Sequence, residues 1–200
     1  MSNNSATGGY LAPTTTNGNT EDVLFSQFLQ PIIVGITGLP GAMVRPRWQP
    51  EPPNLPDYAT DWCAIGTVKR TPDTHAFESH ASGAGETPGS DNVFRVQELS
   101  LLASFYGPNS DANSDLLIQG FSLSQNREAM LLAGYAFIGC DSPIMTADLL
   151  NEKWTRRVDV SFQVRRGQTY TYPVLDLEGA QVTIVTDNGL PPIAVLAEEE

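Results

Sequence analysis

Two histidines, His75 and His80, lie in the string DTHAFESH with Asp73 and Glu78 beside them. These are the side chains of this sequence best suited to hold a metal. A helical metal site places two His at i and i+4, so that both imidazoles converge on one face. Here the histidines are five apart in a stretch of turn-forming residues, which reads as solvated loop polar groups. Cys63 and Cys140 are two thiols, too few for a disulfide framework or a zinc cluster, and read as buried structural cysteines. The glycine-rich run SGAGETPGS lacks the Lys-Ser/Thr ending of a phosphate loop. No serine sits in a nucleophile elbow, no cysteine has a sequence-adjacent base, and the carboxylates are scattered. No catalytic, cofactor-binding or metal residue can be nominated, and the chain reads as a non-enzyme without cofactor.

The other chemistry-bearing residues are the arginines and aromatics. Arg156, Arg157, Arg165 and Arg166 bracket one alternating segment, and Arg157 and Arg165 fall on its outer face, about 26 Å apart at strand rise. In a chain with 11 Lys and Arg against 23 Asp and Glu, two uses fit them. One is contact with a carboxylate-rich surface of a neighbouring subunit; the other is ion pairing inside this chain. Arg45, Arg47 and Trp48 open a proline-rich segment, where they make packing or interface contacts, or clamp a loop over the core. His75, Phe77, His80, Tyr170 and Tyr172 complete the interface candidates. The net charge of −12 argues against a nucleic-acid-binding surface, yet suits one that DNA must pass without sticking.

These residues need elements to position them. Met1–Asn19 is polar and reads as a flexible arm that orders on a partner. A helix capped by Asn19 or Thr20 carries Leu24, Phe28, Ile32 and Ile36, with Phe25 and Leu29 beside them, on one broad apolar face. Pro31 is expected to kink or split it, and Gly35 and Gly38 to end it. Gly38–Trp62 holds six prolines and reads as a stiff extended connector. Trp62–Arg70 reads as a strand, with Trp62, Ala64 and Val68 opposite Cys63 and Ile65. The turn-rich Thr71–Asn92 reads as a long loop whose middle, Thr74–Ser79, could continue a strand and whose Gly/Ser/Pro part is mobile. Val93–Tyr106 is a strand pairing antiparallel with Trp62–Ala76.

A second helix starts at Asn109 or Ser110, and a third runs over Ser124–Leu132 with Ser124 as cap. Tyr135–Cys140 reads as a strand. So does Trp154–Arg165, with Trp154, Val158, Val160, Phe162 and Val164 inward. Thr169–Val185 has strand composition and forms either an arm for a neighbouring sheet or a local hairpin. Leu190–Glu200 reads as a solvated acidic tail. The fold expected is α/β of the α+β kind: a mixed, mainly antiparallel sheet flanked by two or three helices, with extended arms. Its parts are an arm 1–19, a core 20–166, C-terminal strands 167–187 and a tail 188–200. No apolar run nears the roughly 20 residues of a membrane helix, and no signal peptide is visible, so assembly in the cytosol is expected.

Six strings carry a resemblance: FLQPIIVGITGLPGAMVRPRWQPEPPNLP (Phe28–Pro56), TDWCAIGTVKRTPD, SFYGPNSDA, SQNREAMLLAG, WTRRVDVSFQVRR and TYPVLDLEGA. In order and spacing they resemble the phage neck terminator proteins, related in architecture to tail terminators. Pro31 departs from the plain helix former expected at its position. The resemblance implies a structural virion protein at the head–tail junction, forming a ring, six-membered in relatives, that caps the tail. Its implied partners are further copies of itself, a head-side connector and the tail tube or sheath, with DNA passing through unread. Two rivals remain: a receptor- or glycan-binding module using Thr71–Asn92 with Tyr170 and Tyr172, and a small metal-dependent hydrolase on Asp73, His75, Glu78 and His80.

Overall fold

Period-two alternation in three segments supplies the sheet, and the helices cover the side on which the apolar residues fall. The computed structural model describes residues 8–16, 22–49, 54–83, 89–150, 152–176, 179–184 and 193–198. Its elements in order are β1 (Thr15–Thr16), α1 (Asp22–Thr37), β2 (Val44–Pro46), β3 (Trp62–Pro72), β4 (Phe77–Ala81) and β5 (Ser90–Tyr106). There follow α2 (Ser110–Ser122), α3 (Ser124–Leu132), β6 (Tyr135–Cys140), β7 (Ile144–Leu150), β8 (Lys153–Pro173), β9 (Gly179–Ile184) and β10 (Ile193–Glu198). The fold is α+β with a mixed, mostly antiparallel sheet. Two compact units divide the chain: Met1–Thr16, Phe77–Val93 and Thr169–Glu200 form one, Asn17–Ala76 and Phe94–Gln168 the other.

In the larger unit the strand order is β8-β5-β3-β2, and β6 and β7 pair with β8 in succession. β3 and β5 pair antiparallel from Trp62↔Tyr106 to Pro72↔Gln97, as the sequence predicts. β2 adds parallel to β3, Val44 opposite Cys63. The proline-rich segment thus contributes an edge strand, the position where proline's missing donor is tolerated. Cys63 and Ile65, Leu99 to Phe105 on alternate positions, and Val160, Phe162 and Val164 form one apolar side. Phe25, Leu29 and Ile33 of α1, spaced by four, pack on it with Leu117, Phe121 and Met130. Each such side chain, fully buried, contributes roughly 1.5–3 kcal/mol.

Several local expectations change. α1 runs unbroken through Pro31 rather than splitting. Pro31 and Gln27, four residues before it, both face solvent, so the Gln27 carbonyl that loses its donor is left to water. Gly38 closes α1 at φ 75°, donating its N–H to Val34 O at 2.9 Å. The caps expected at Asn19 or Thr20 lie outside the described residues. Asn109 makes no side-chain cap; its N–H and Nδ2 both donate to Asp61 at 2.8 Å. Ser124 is the first helical residue of α3, whose cap position is Leu123. β7 has no counterpart in the sequence reading. Trp154, expected inward, is 73% exposed, because the strand continues beyond the helix layer.

In the smaller unit β1 pairs with β8, Thr15 opposite Thr171 and Thr16 opposite Tyr170. The N-terminal arm is therefore joined here to a strand of its own chain. Phe77–Ala81, inside the expected loop, is a strand paired with β5. β9 and β10 form an antiparallel pair from Ile193↔Ile184 to Glu198↔Gly179, so strand structure reaches into the expected tail.

α2 approaches α1 closely at Gly120, where an added Cβ would overlap the Ile36 methyl. Gly120→Val is expected to destabilise the chain by about 1–3 kcal/mol through overpacking. Ile36→Ala in the same chain should return part of that loss, a coupling of about 1 kcal/mol readable in denaturant melts.

Candidate assembly surface

The side of the sheet away from the helices is held by aromatic stacking and charge. Trp62 and Tyr106 are register partners across β3 and β5, so their rings meet. They stack at 4.2 Å between centroids and 5° between planes. One row further in, Ala64 lies opposite Ser104. Ser104 Oγ donates to Asp159 Oδ1 on β8 and accepts from Arg47 Nη2. Arg157 donates from Nε to both Asp159 oxygens at 3.1 Å and from Nη2 at 2.7 Å. Its Nη1 reaches Asp148 Oδ2 of β7 at 2.8 Å. The result is a string, Arg47–Ser104–Asp159–Arg157–Asp148, tying together four strands or their ends.

Local structure places each member. Arg47 follows β2 directly, and its N–H donates to Ile65 O at 2.7 Å, continuing the ladder. Gly66 leaves the space: a Cβ there would lie 2.9 Å from Arg47 Cβ and 3.4 Å from the Trp48 indole. Trp48 rests over that glycine, half exposed, with Nε1 donating to Thr67 O at 3.3 Å. Arg45 donates to Ala42 O at 2.9 Å and Asn54 O at 3.0 Å, fastening the connector to itself. A cavity of about 200 Å³ opens between Arg45, Arg47, Gln49, Leu55, Trp62 and Tyr106.

Electrostatics follow from this placement. Hydrogen bonds donated to Asp159 push the Arg157 pKa upward, against the opposing effect of burial, so the guanidinium stays charged. Burial raises the Tyr106 phenol, with Arg157 pulling the other way. Burial also drives the Cys63 thiol far up, and Cys140 up to about 11, so neither is a thiolate at neutral pH.

The remaining candidates are not gathered into one place. Arg156 is exposed opposite Ala147, on the other side of β8 from Arg157. Arg165 is exposed, 3.9 Å from Glu98 Oε2, a surface pair worth little. Arg166 is buried, with Nη2 donating to Gln97 Oε1 at 3.4 Å. The structure therefore joins Arg47 to Arg157 and separates the other three. Sequence reasoning missed Ser104, Asp148 and Asp159 as partners; each is an ordinary polar residue until β5, β7 and β8 are adjacent. His75 is exposed in the turn after β3.

In the smaller unit Phe77 is exposed on β4, Tyr170 and Tyr172 are half-buried, and His80 is clamped. Its Nδ1 lies 2.7 Å from Asp91 Oδ1 and its Nε2 lies 2.9 Å from Asp176 Oδ1. Asp176 also accepts the Gly83 N–H at 2.5 Å and fills the space over Gly89. The two carboxylates sit on opposite edges of the imidazole and do not converge on a common point. Among the described residues no group of three His, Cys, Asp or Glu could hold a metal ion.

What this arrangement does chemically is brace a sheet. Arg47, Ser104, Asp159, Arg157 and Asp148 hydrogen-bond one to the next across the strands. The α+β domain so built leaves large apolar side chains such as Trp154 and Leu132 exposed. The chain belongs to the phage neck terminator family: the model described as Phage neck terminator protein matches residues 22–188. It is a structural phage protein of the neck, working with other head and tail proteins. A comparison with curated proteins finds no match.

Asp159→Ala and Arg157→Ala, measured singly and together by chemical denaturation, are expected to couple by about 1–3 kcal/mol. A coupling near zero would mean the pair is a mere surface contact. For His80, the hydrogen bond to Asp91 and the Asp176 charge raise the pKa above its ordinary 6.5. The protonated form is thus favoured by folding; its stabilisation is full below 6.5 and fades as pH rises through the raised value. An NMR titration should place the His80 midpoint above 6.5, and Asp91→Asn should bring it back toward that figure.

Proposed function

We propose that copies of this chain close into a ring at the head–tail junction of a tailed phage. The ring ends the tail and joins it to the connector on the capsid side, as part of the conduit for DNA. The observation that carries this reading is the family match over residues 22–188, which takes in every helix and strand of the larger unit. A closed ring requires two different patches on each copy, related by a rotation that returns to its start. Six copies is the number implied by the resemblance to terminator proteins. Partners on either side are the head-side connector and the tail tube or sheath, and assembly takes place in the host cytoplasm. The chain carries no catalytic duty in this reading. Its −12 charge supports a lumen along which DNA slides without condensing.

Electron microscopy of particles made with and without this chain tests the proposal. With it, a ring is expected at the neck of joined particles. Without it, filled heads and separate tails should accumulate. Normally joined particles lacking the chain would overturn the reading.

A further inference from the structure

The apolar side of β8 continues after its cover ends. Val158 is fully buried, but Arg156 and Trp154, on the same side by alternation, emerge into solvent. Register places Met145 opposite Val158, Ala147 opposite Arg156 and Leu149 opposite Trp154. Trp154 is 73% exposed, Met145 63% and Leu149 56%. This is a sheet face of core composition with one cation, Arg156, set in its middle. Among the described strands β7 pairs with β8 alone, so the hairpin also has an open edge.

A second uncovered surface lies on the helices of the same unit. Leu132 is 82% exposed, Leu131 69% and Leu123 62%. Glu128 shares a stripe with Leu131 and Leu132 at helical spacing, and Asp115 is exposed beside Leu116 on α2. Arg127, the basic residue of these two helices, is half-buried 5.5 Å over the Phe137 ring, leaving Glu128 and Asp115 as the exposed charges. The exposed helix face is therefore apolar and acidic, and the exposed β7–β8 face is apolar and basic.

We propose that the β7–β8 face of one copy docks on the α2–α3 face of the next. Each face against itself would oppose like charges, Arg156 to Arg156 or Glu128 to Glu128. Each against the other pairs opposite charges across apolar ground. A contact between unlike faces leaves one of each free on every assembly, so copies add head to tail until rotation closes them. The inference rests on the ring reading and supplies its interface. Trp154 is the anchor, a large aromatic whose truncation at an interface centre weakens binding by on the order of tenfold or more.

The test uses two variants of the full chain, Trp154→Asp and the double Leu131→Asp, Leu132→Asp. All three residues are exposed, so both variants should keep the wild-type far-UV circular dichroism and a cooperative melt, with the midpoint lowered only by the lost association. By mass photometry, wild type should form a closed oligomer and each variant alone should remain a single copy. Mixed in equal amounts, the variants retain one intact pair of faces between them and should stop at a one-to-one dimer. Wild-type oligomers that survive both sets of changes would overturn this interface and leave the ring reading standing. Variants that stay single when mixed would also overturn it. A wild type that never associates would take the ring reading down with it.

Discussion

A sheet exposes two sides, and each side of this one must be closed by different means. The constraint is period-two alternation on β3, β5 and β8. It sends Ile65, Phe105 and Phe162 toward the helices and Ala64, Ser104 and Asp159 away from them. Burial of apolar area stabilises the first side without directional demands. The second side depends on direction: Ser104 must sit between Arg47 and Asp159, and Arg157 between Asp159 and Asp148. A register slip of one residue would exchange the two sets and leave charges facing helices. The polar string thereby fixes register as well as contributing energy.

The same division bears on how a neck protein performs. In its larger unit the charged groups Arg47, Asp159, Arg157 and Asp148 are committed to one another through the string. What remains unspent is surface: Trp154 and Leu132 lie in water although their size favours burial. Exposed apolar surface of this kind is a candidate for contact with other chains. The smaller unit is held differently, through Asp176, which receives His80 and the Gly83 amide at one carboxylate. A hub of that kind responds to pH, whereas the apolar core does not.

Much of this could be read from the chain directly. The apolar spacing of α1, the alternation of β3, β5 and most of β8, the antiparallel pairing of β3 with β5 and the position of α3 follow from local pattern. Each depends on neighbours in sequence that share one face. The prolines mark Gly38–Trp62 as an extended connector, but the pairing of Val44–Pro46 at the edge of the sheet is not legible in them. β7 was hidden because Ile144, Met145 and Leu149 lie on both of its faces, so no clean alternation marks it. The continuation of α1 through Pro31 was hidden too, since it depends on the solvent exposure of Gln27.

The sequence by itself determined which residues are apolar on which side, and hence the sheet, the helix faces and the family to which they belong. Tertiary structure alone decided which charges meet. Arg47 and Asp159 are more than a hundred positions apart, and nothing local links them until β3, β5 and β8 lie side by side. It also decided where the cover ends: Trp154 and Val158 share one strand side, yet only Val158 has other side chains packed over it. Periodicity encodes the direction of a side chain, while the reach of a neighbouring element is a property of the assembled whole.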